Sequence, residues 1–352
     1  GRRTGLLCAL GLTMLLGLTS AAVNSYYTFL ALRFTINIGL AGAMPCTYTL
    51  FQEFVPVQER SKWVPVLYSS YGIGRIVTAI AAWMLLELSW RAYMVAIALP
   101  SGVLLFFFRH VPETPQYLLA QGRSQEAWDT ISNVAATNGV VSPLSKESRL
   151  AMEKADFCVN SSWEALATPT AKLLCATWFL VACGTEWFNW TVPMLEESGV
   201  SESVTYGSLI FFNTNELVVP LLISLLPRPM LDDSSNLFAL SCGSAAVTLV
   251  FFGVSMWLHL TSWLLVISSV FAAYCGVSVW VIIYTVTPSY FPARLRGTGF
   301  GACQGFNRCE YFVGPLIGSN LVDGHKLTLL ASCTSCYLLL ALLSRCLQPL
   351  SA

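Results

Sequence analysis

Three arginines and three glutamates lie well inside long apolar segments of this 352-residue chain: Arg33, Arg75, Arg308, Glu186, Glu216 and Glu310. A charge in hydrocarbon costs ~2.5–3.5 kcal/mol on insertion scales, so a chain that keeps several generally uses them around a polar path. Hydrophobic residues make up 55% of the chain and charged residues only 11%, which is less than half the charged fraction of a typical soluble domain. These features predict a polytopic membrane transporter.

Two of the glutamates have neighbours that suggest a substrate site. Glu186 is followed by Trp187 and Trp190, and aromatic rings beside a carboxylate could line a pocket for an organic substrate or form an interfacial belt. Glu216 follows Asn213 by three residues, so both lie on one helical face. A glutamate in such a segment must point into the helix bundle, where it could bind substrate or carry a proton.

Other classes of function find no support in the sequence. The formal net charge is zero, which argues against a nucleic-acid partner. The three histidines are widely spaced and form neither a metal-ligand set nor a catalytic triad, and there is no phosphate-binding loop for ATP-driven pumping. We therefore expect no metal, no cofactor and no enzymatic activity.

Hydropathy predicts ten membrane helices, since about 20 apolar residues cross a bilayer. They lie near 4–22, 26–50, 63–86, 90–108, 171–194, 206–226, 236–257, 262–287, 297–321 and 326–347. Lys and Arg are concentrated in one set of connections, whereas the opposite set holds only Arg91 and Lys326. The positive-inside rule then places both termini in the cytoplasm.

An internal repeat divides the chain. A tyrosine, a proline eight residues later and an arginine four residues after that occur twice, as Tyr48, Pro56, Arg60 and as Tyr284, Pro292, Arg296. Both copies close a helix on the same side, which implies a parallel repeat. We predict a remainder of an N-terminal bundle with four helices (1–108), a cytoplasmic linker with a short helix (109–170) and a six-helix C-terminal bundle (171–352). The unequal counts lead us to expect an N-terminally truncated chain that lacks the first two helices.

Four motifs resemble those of the major facilitator superfamily, and they occur along this chain in the same order as in that family. Gly1-Arg2-Arg3 resembles the end of its loop motif, and Pro112-Glu113-Thr114-Pro115 resembles the sequence after its sixth helix. The pattern of its fourth helix resembles Arg33, Gly39, Gly42, Pro45, Tyr48, Glu53, Pro56 and Arg60. The pattern of its tenth and eleventh helices resembles Tyr290-Phe291-Pro292, Arg296, Gly299, Gly301, Arg308, Gly314 and Pro315. The most similar branch holds the organic cation and anion transporters and the synaptic vesicle glycoprotein 2-related proteins.

The resemblance implies an all-α fold with ten membrane helices present, and alternating access of the two halves to a small organic ion. It also implies a cytoplasmic gate latched by loop charges, for which Glu53, Arg60 and Arg296 are the candidates. Arg33 is a candidate for gating or coupling, or a structural residue. The second-half counterpart of Glu53 is Ser289, so that latch is weakened.

Arg308 is the basis for a prediction of substrate charge. In the resemblance it falls where organic cation transporters carry Asp and organic anion transporters carry Arg, and a guanidinium can grip a carboxylate bidentately. Gln304 lies on the same helical face as Arg308, while Glu310 and Tyr311 share another face. The alternative is that Arg308 pairs with Glu216 or Glu186. For Arg75 we expect a structural role, with its side chain reaching a headgroup.

We therefore expect a secondary carrier for a small organic ion, more often an anion, with a possible coupling proton or counter-ion. Its other partner is the lipid bilayer, and the plasma membrane is favoured over a vesicle membrane. The first alternative is a proton-coupled symporter for a sugar or related substrate. The second alternative is a transport-deficient membrane receptor or vesicle protein.

Overall fold

The computed structural model describes residues 1–85, 89–108, 110–139, 167–292 and 295–346, and in this part of the chain every regular element is helical. Seven stretches there are long and apolar enough to cross a membrane: Arg2–Ala22, Tyr26–Phe54, Val57–Ala82, Trp90–Phe108, Ser234–Trp257, Ser262–Tyr290 and His325–Cys346. They coincide with seven of the ten predicted segments. The chain is an all-helical, multi-pass membrane protein.

The three other predicted segments, 171–194, 206–226 and 297–321, carry the buried glutamates Glu186, Glu216 and Glu310. The first of them is divided into shorter helices by a 3₁₀ turn.

The helices divide by their internal contacts into two compact units. The first unit contains Gly1–Val57, Val77–Leu166 and Phe291–Gly301, and the second contains Gln58–Ile76, Ala167–Tyr290 and Ala302–Ala352. Helix α1 (Arg2–Ala22) packs against α2 (Tyr26–Phe54) and α4 (Trp90–Phe108). Helix α3 (Arg60–Leu85) contributes its first part to the second unit.

Two short helices follow the fourth span. Helix α5 (Pro115–Ala120) and α6 (Ser124–Thr137) bury a small apolar cluster of Leu118, Leu119, Ala127 and Trp128. At the start of α6, Arg123 donates hydrogen bonds to Glu126, and this contact lowers the pKa of the exposed Glu126 carboxyl. The rest of the linker lies outside the described residues.

A proline interrupts the first span of the second unit. Helix α7 (Pro169–Thr185) begins with Thr168, whose hydroxyl accepts a hydrogen bond from the Ala171 N–H, and it passes into a 3₁₀ turn (Glu186–Trp190) and then α8 (Thr191–Glu197). Pro193 has no N–H to donate, and its ring clashes with the carbonyl four residues earlier, on Asn189. The predicted span near 171–194 is helical along its length, and the 3₁₀ turn (Glu186–Trp190) divides it into α7 and α8.

The remaining helices of the second unit are α9 (Glu202–Ser224), α10 (Arg228–Asp232), α11 (Ser234–Trp257), α12 (Ser262–Val286) and α13 (Arg296–Leu343). Helix α11 starts at a cap in which the Asp233 carboxylate accepts from the Asn236 N–H. It packs along α12, which in turn packs against α9.

Helix α13 is 48 residues long and reverses its direction. A Cβ at Gly314 would lie 3.0 Å from the Glu186 carboxyl carbon, while the Tyr337 ring would contact a Cβ at Gly184 at 3.2 Å. In a straight helix Gly314 and Tyr337 would be about 35 Å apart, yet both reach the same end of α7. Near the turn, the Lys326 ammonium donates to the Ser198 hydroxyl at 3.1 Å. The two predicted spans are thus two limbs of one bent helix.

Candidate functional site

The 3₁₀ turn after α7 folds its polar side chains back onto Glu186. The Asn189 amide and the Trp190 indole N–H each donate to the Glu186 carboxylate, on different oxygens and both at 2.9 Å. A 3₁₀ turn is tighter than an α-helix, so the residues three and four positions after Glu186 come within hydrogen-bonding distance of its side chain. The break caused by Pro193 therefore fixes the orientation of a carboxylate that is 5% exposed.

Helices α3 and α9 approach closely at a glycine. A Cβ on Gly72 would lie 2.6 Å from both the Glu216 carbonyl carbon and the Leu217 nitrogen, a distance that only glycine tolerates. One turn later on α3, Arg75 donates to the Glu216 Oε1 at 2.9 Å. The close approach at Gly72 thus enables an ion pair between the two helices.

The other Glu216 oxygen, Oε2, is buried and accepts no hydrogen bond within the described part of the chain. Pro220, four residues after Glu216, lacks the N–H that would bond the Glu216 carbonyl. Both features mark this turn of α9 as a polar point inside an apolar helix.

The first limb of α13 supplies a third carboxyl group. Glu310 is 3% exposed, and a Cβ at Gly314 would overlap one Glu310 oxygen and lie 3.0 Å from the Glu186 carboxyl carbon. The Glu186 and Glu310 carboxyl groups are therefore neighbours. The second Glu310 oxygen is buried without a hydrogen-bond partner among the described residues.

These three carboxyl groups meet at a cavity of about 260 Å³ inside the second unit. Arg75 is the basic residue in its lining, and the aromatic side chains around it are those of Tyr71, Trp187, Phe188, Trp280, Tyr311 and Tyr337. Small residues of α12, Ala273 and Gly276, complete one wall. A polar, aromatic cavity of this kind suits a small organic molecule with at least one charged group.

Aromatic packing fixes one side of the site. Trp187 is fully buried and packs on Phe252 with ring centroids 5.9 Å apart. Trp280 of the cavity wall packs against Tyr284, whose hydroxyl accepts a 2.7 Å hydrogen bond from the Gln304 amide. Each ring is held by neighbours, so the cavity wall is preorganised.

The structure brings five of the nine predicted substrate residues to the cavity: Glu186, Trp187, Glu216, Glu310 and Tyr311. Trp190 supports the site by donating to Glu186. Gln304 lies on Tyr284 instead, and Asn213 lies on α9 outside the lining.

Arg308 is exposed, and its guanidinium carbon lies 5.3 Å from the Tyr311 ring centroid. Tyr311 itself lines the cavity, so Arg308 lies beside the cavity without lining it. Neither Glu216 nor Glu186 has Arg308 as its hydrogen-bond partner: Glu216 accepts from Arg75, and Glu186 accepts from Asn189 and Trp190.

Arg75 lines the cavity, a role that the sequence analysis did not predict for it. We expected its side chain to reach a lipid headgroup, but it pairs with Glu216. The sequence did contain a signal for this pair. An arginine within a span needs a carboxylate partner, and this chain has three carboxylates within its spans.

A second charged cluster lies in the first unit, around the candidate gate residue Glu53. Its side chain is fully buried and accepts from Arg2 at 3.0 Å and from Arg296 at 3.2 Å. The Thr114 hydroxyl donates to the other Glu53 oxygen, and Arg296 also donates to the Gln116 amide oxygen at 2.9 Å. The resemblance implied that Glu53 and Arg296 are both gate residues. In the structure their side chains are in contact.

The other two candidate gate residues lie elsewhere. Arg33 contacts the Met94 sulfur and the Phe29 ring within the first unit. Arg60 begins α3, in the second unit.

Comparison with known proteins places the chain in a family. The sequence model of the family described as "Major Facilitator Superfamily" matches residues 1–315. The niacin transporter NiaP of Acinetobacter baylyi (strain ATCC 33305 / BD413 / ADP1) is 22% identical over 92% of this chain and 73% of its own length. Organic cation/carnitine transporter 7 of Arabidopsis thaliana is 24% identical over 99% of this chain and 78% of its own length. The synaptic vesicle 2-related protein of Bos taurus is 25% identical over 99% of this chain and 66% of its own length.

The fold agrees with this match. The structure of the proton:xylose symporter XylE bound to 6-bromo-6-deoxy-D-glucose superimposes with a TM-score of 0.76, at 16% sequence identity, over 99% of this chain and 81% of that one. The expected family, the helical membrane fold and the branch resemblance are confirmed, and the chain is a transporter of small organic substrates rather than an enzyme. This chain belongs to the Major Facilitator Superfamily.

Proposed function

We propose that this protein is a secondary carrier for a small organic ion and works by alternating access. The observation that carries the proposal is the cavity, in which three buried carboxyl groups, one paired arginine and a ring of aromatic side chains converge. A chain with no substrate to bind would not retain this many charges in membrane helices, because each is costly to bury.

Arg308 supports an anionic substrate. Its exposed guanidinium stacks on Tyr311, which forms part of the cavity wall, so it is placed to bind the carboxylate of a ligand seated beside that ring. A planar guanidinium fork binds a carboxylate through two parallel hydrogen bonds. The niacin transporter among the relatives is consistent with this proposal.

An organic cation is the second candidate, and the charge of the cavity favours it. Its lining holds three carboxyl groups against the single guanidinium of Arg75, which already pairs with Glu216. Aromatic faces beside carboxylates attract organic cations. The relative named an organic cation/carnitine transporter is consistent with this alternative.

Uptake by the purified protein in liposomes separates the candidates. We would compare labelled niacin, carnitine and xylose for the parent chain, Arg308→Lys and Arg308→Gln. Anion binding by Arg308 predicts niacin uptake that falls about tenfold or more in Arg308→Lys, because a point charge replaces a bidentate fork. Arg345→Lys is the matched control, since Arg345 lies in the last helical turn of the described chain and does not line the cavity.

Normal niacin uptake by Arg308→Gln would exclude the anion role, and carnitine uptake that survives in Arg308→Gln but fails in Glu310→Gln would favour a cation. Xylose uptake would favour the sugar symporter. Transport of none of the three by a well-folded protein would favour the receptor or vesicle-protein alternative.

We further propose that both termini lie in the cytoplasm, that the plasma membrane is the site of action, and that 1–108 and 171–352 act as the two moving bundles joined by the linker 109–170. The distribution of Lys and Arg supports the orientation. The contact of Glu53 with Arg2 and Arg296 supports a role for these residues in a gate.

A further inference from the structure

The cavity holds a pair of carboxyl groups that the binding of an organic ion does not by itself require. Glu186 and Glu310 come from different helices and meet at Gly314, where the absence of a side chain leaves room for both. They are 5% and 3% exposed. Among the described residues, neither forms an ion pair with a Lys or Arg.

Two neighbouring carboxylates in an apolar interior cannot both keep a negative charge at low cost. Like charges this close repel strongly, and a low-dielectric interior screens them far less than water does. One shared proton removes this repulsion and adds a hydrogen bond between the two groups. The pair therefore has the chemistry of a proton-binding site.

The hydrogen bonds around the pair distinguish its two members. Glu186 accepts from Asn189 and Trp190, one bond on each oxygen, so a proton on either oxygen would compete with a donor that is already there. Glu310 has a buried oxygen with no partner in the described part of the chain. The proton accordingly resides on Glu310, which donates it to Glu186.

We propose that Glu186 and Glu310 hold the coupling proton of this carrier, with Glu310 as the protonated member facing the substrate cavity. The proposal deepens the carrier function and rests on it. Loss of the proton adds one negative charge to the cavity wall, so proton and substrate occupancy are linked through charge. The bound proton comes from water on one side of the membrane and leaves to water on the other.

Other titratable and charged groups surround the pair and have to be controlled for. They come from four helices: Tyr71 and Arg75 of α3, Cys183 of α7, Glu216 of α9, and Arg308, Tyr311, Cys333, Cys336 and Tyr337 of α13. Glu216 is the one with the same chemistry, but unlike Glu186 and Glu310 it forms an ion pair, with Arg75.

Infrared absorption of the purified protein in lipid tests the proton directly, with no substrate needed. We expect a carbonyl band of a protonated carboxylic acid at neutral pH that shifts in heavy water. Glu310→Gln should abolish it, because the amide donates to Glu186 as the protonated acid does and leaves Glu186 ionised. Glu196→Gln, at an exposed position, should leave it unchanged, and so should the double change Arg75→Gln with Glu216→Gln, which leaves no unpaired charge of that ion pair. No such band in the parent protein, or a band that persists in folded Glu310→Gln, would overturn the proposal.

A transport assay tests the coupling. In liposomes, with labelled niacin and carnitine as probes, an inward proton gradient should drive accumulation by the parent chain and by Glu196→Gln. Accumulation by Glu310→Gln should fall to the level seen without a gradient. This variant should still exchange labelled for unlabelled probe. Accumulation by Glu310→Gln that equals the parent would overturn the proposal. If the band behaves as expected but neither probe enters, the proton site stands and the carrier function for these probes fails.

Discussion

Arg75 and Glu216 form a 2.9 Å ion pair that joins the third helix of the chain to the ninth inside one compact unit. The pair depends on a backbone contact one turn earlier, at Gly72, and leaves one Glu216 oxygen buried at the cavity. A charge that hydropathy alone assigns to the lipid boundary therefore belongs to the candidate substrate site.

Removal of one partner of this pair should cost more than removal of both. Arg75→Gln leaves Glu216 as a buried, uncompensated carboxylate, which for a fully buried pair costs ~3–5 kcal/mol. Because the Arg75 side chain is 36% exposed, we expect a smaller loss, which would appear as a lower melting temperature in detergent. Arg75→Gln combined with Glu216→Gln should recover most of it. A double variant no more stable than Arg75→Gln would show that the pair does not stabilise the protein.

Gly72 and Gly74 provide a matched comparison on one helix. A Cβ at Gly72 would lie 2.6 Å from the α9 backbone, whereas one at Gly74 would meet nothing within 4 Å. Gly72→Ala should force the helices apart, destabilise the protein by ~1–3 kcal/mol as overpacking does, and reduce transport. Gly74→Ala should be neutral or slightly stabilising, since alanine favours a helix. Thermal unfolding of both variants measures this, and equal effects would contradict the close contact.

Glu53 should be indispensable to the first unit. Its fully buried carboxylate contacts two guanidinium groups, so Glu53→Gln leaves Arg2 and Arg296 without their counter-charge. We expect a loss of ~3–5 kcal/mol in unfolding free energy. The control is Glu126→Gln, which removes an exposed i,i+3 partner of Arg123 and should leave the melting temperature nearly unchanged. Similar melting temperatures for the two variants would argue against a buried charge cluster.

The orientation can be tested at two exposed positions. A cysteine at Glu196 should react with an impermeant thiol reagent added outside intact cells, and a cysteine at Asn138 should react only after permeabilisation. The expectation rests on the excess of Lys and Arg in the connections that include 109–170. Labelling is counted above the background of the parent chain, which has exposed native cysteines. Labelling of Asn138→Cys in intact cells would reverse the topology.

The sequence by itself determined the class of protein, most of the spans and the identity of the charged residues that matter. Hydropathy is a property of consecutive residues, so it locates a helix such as Ser262–Val286 without any knowledge of its neighbours. The cost of burying charge singled out Glu186, Glu216 and Glu310 for the same reason. The motifs around Glu53 and Arg296 indicated the family and named both residues as gate candidates, and the structure showed that the two side chains are in contact.

Only the tertiary structure decided which charges meet. The partner of Glu216 depends on how α3 and α9 are rotated and how closely Gly72 lets them approach, and neither is encoded in the spacing along one helix. The proximity of Glu186 to Glu310 depends on a 3₁₀ turn caused by Pro193 and on the course of α13, which reverses between Gly318 and Cys333. Contacts between helices distant in sequence arise from packing, so a local pattern names the charged groups but cannot pair them.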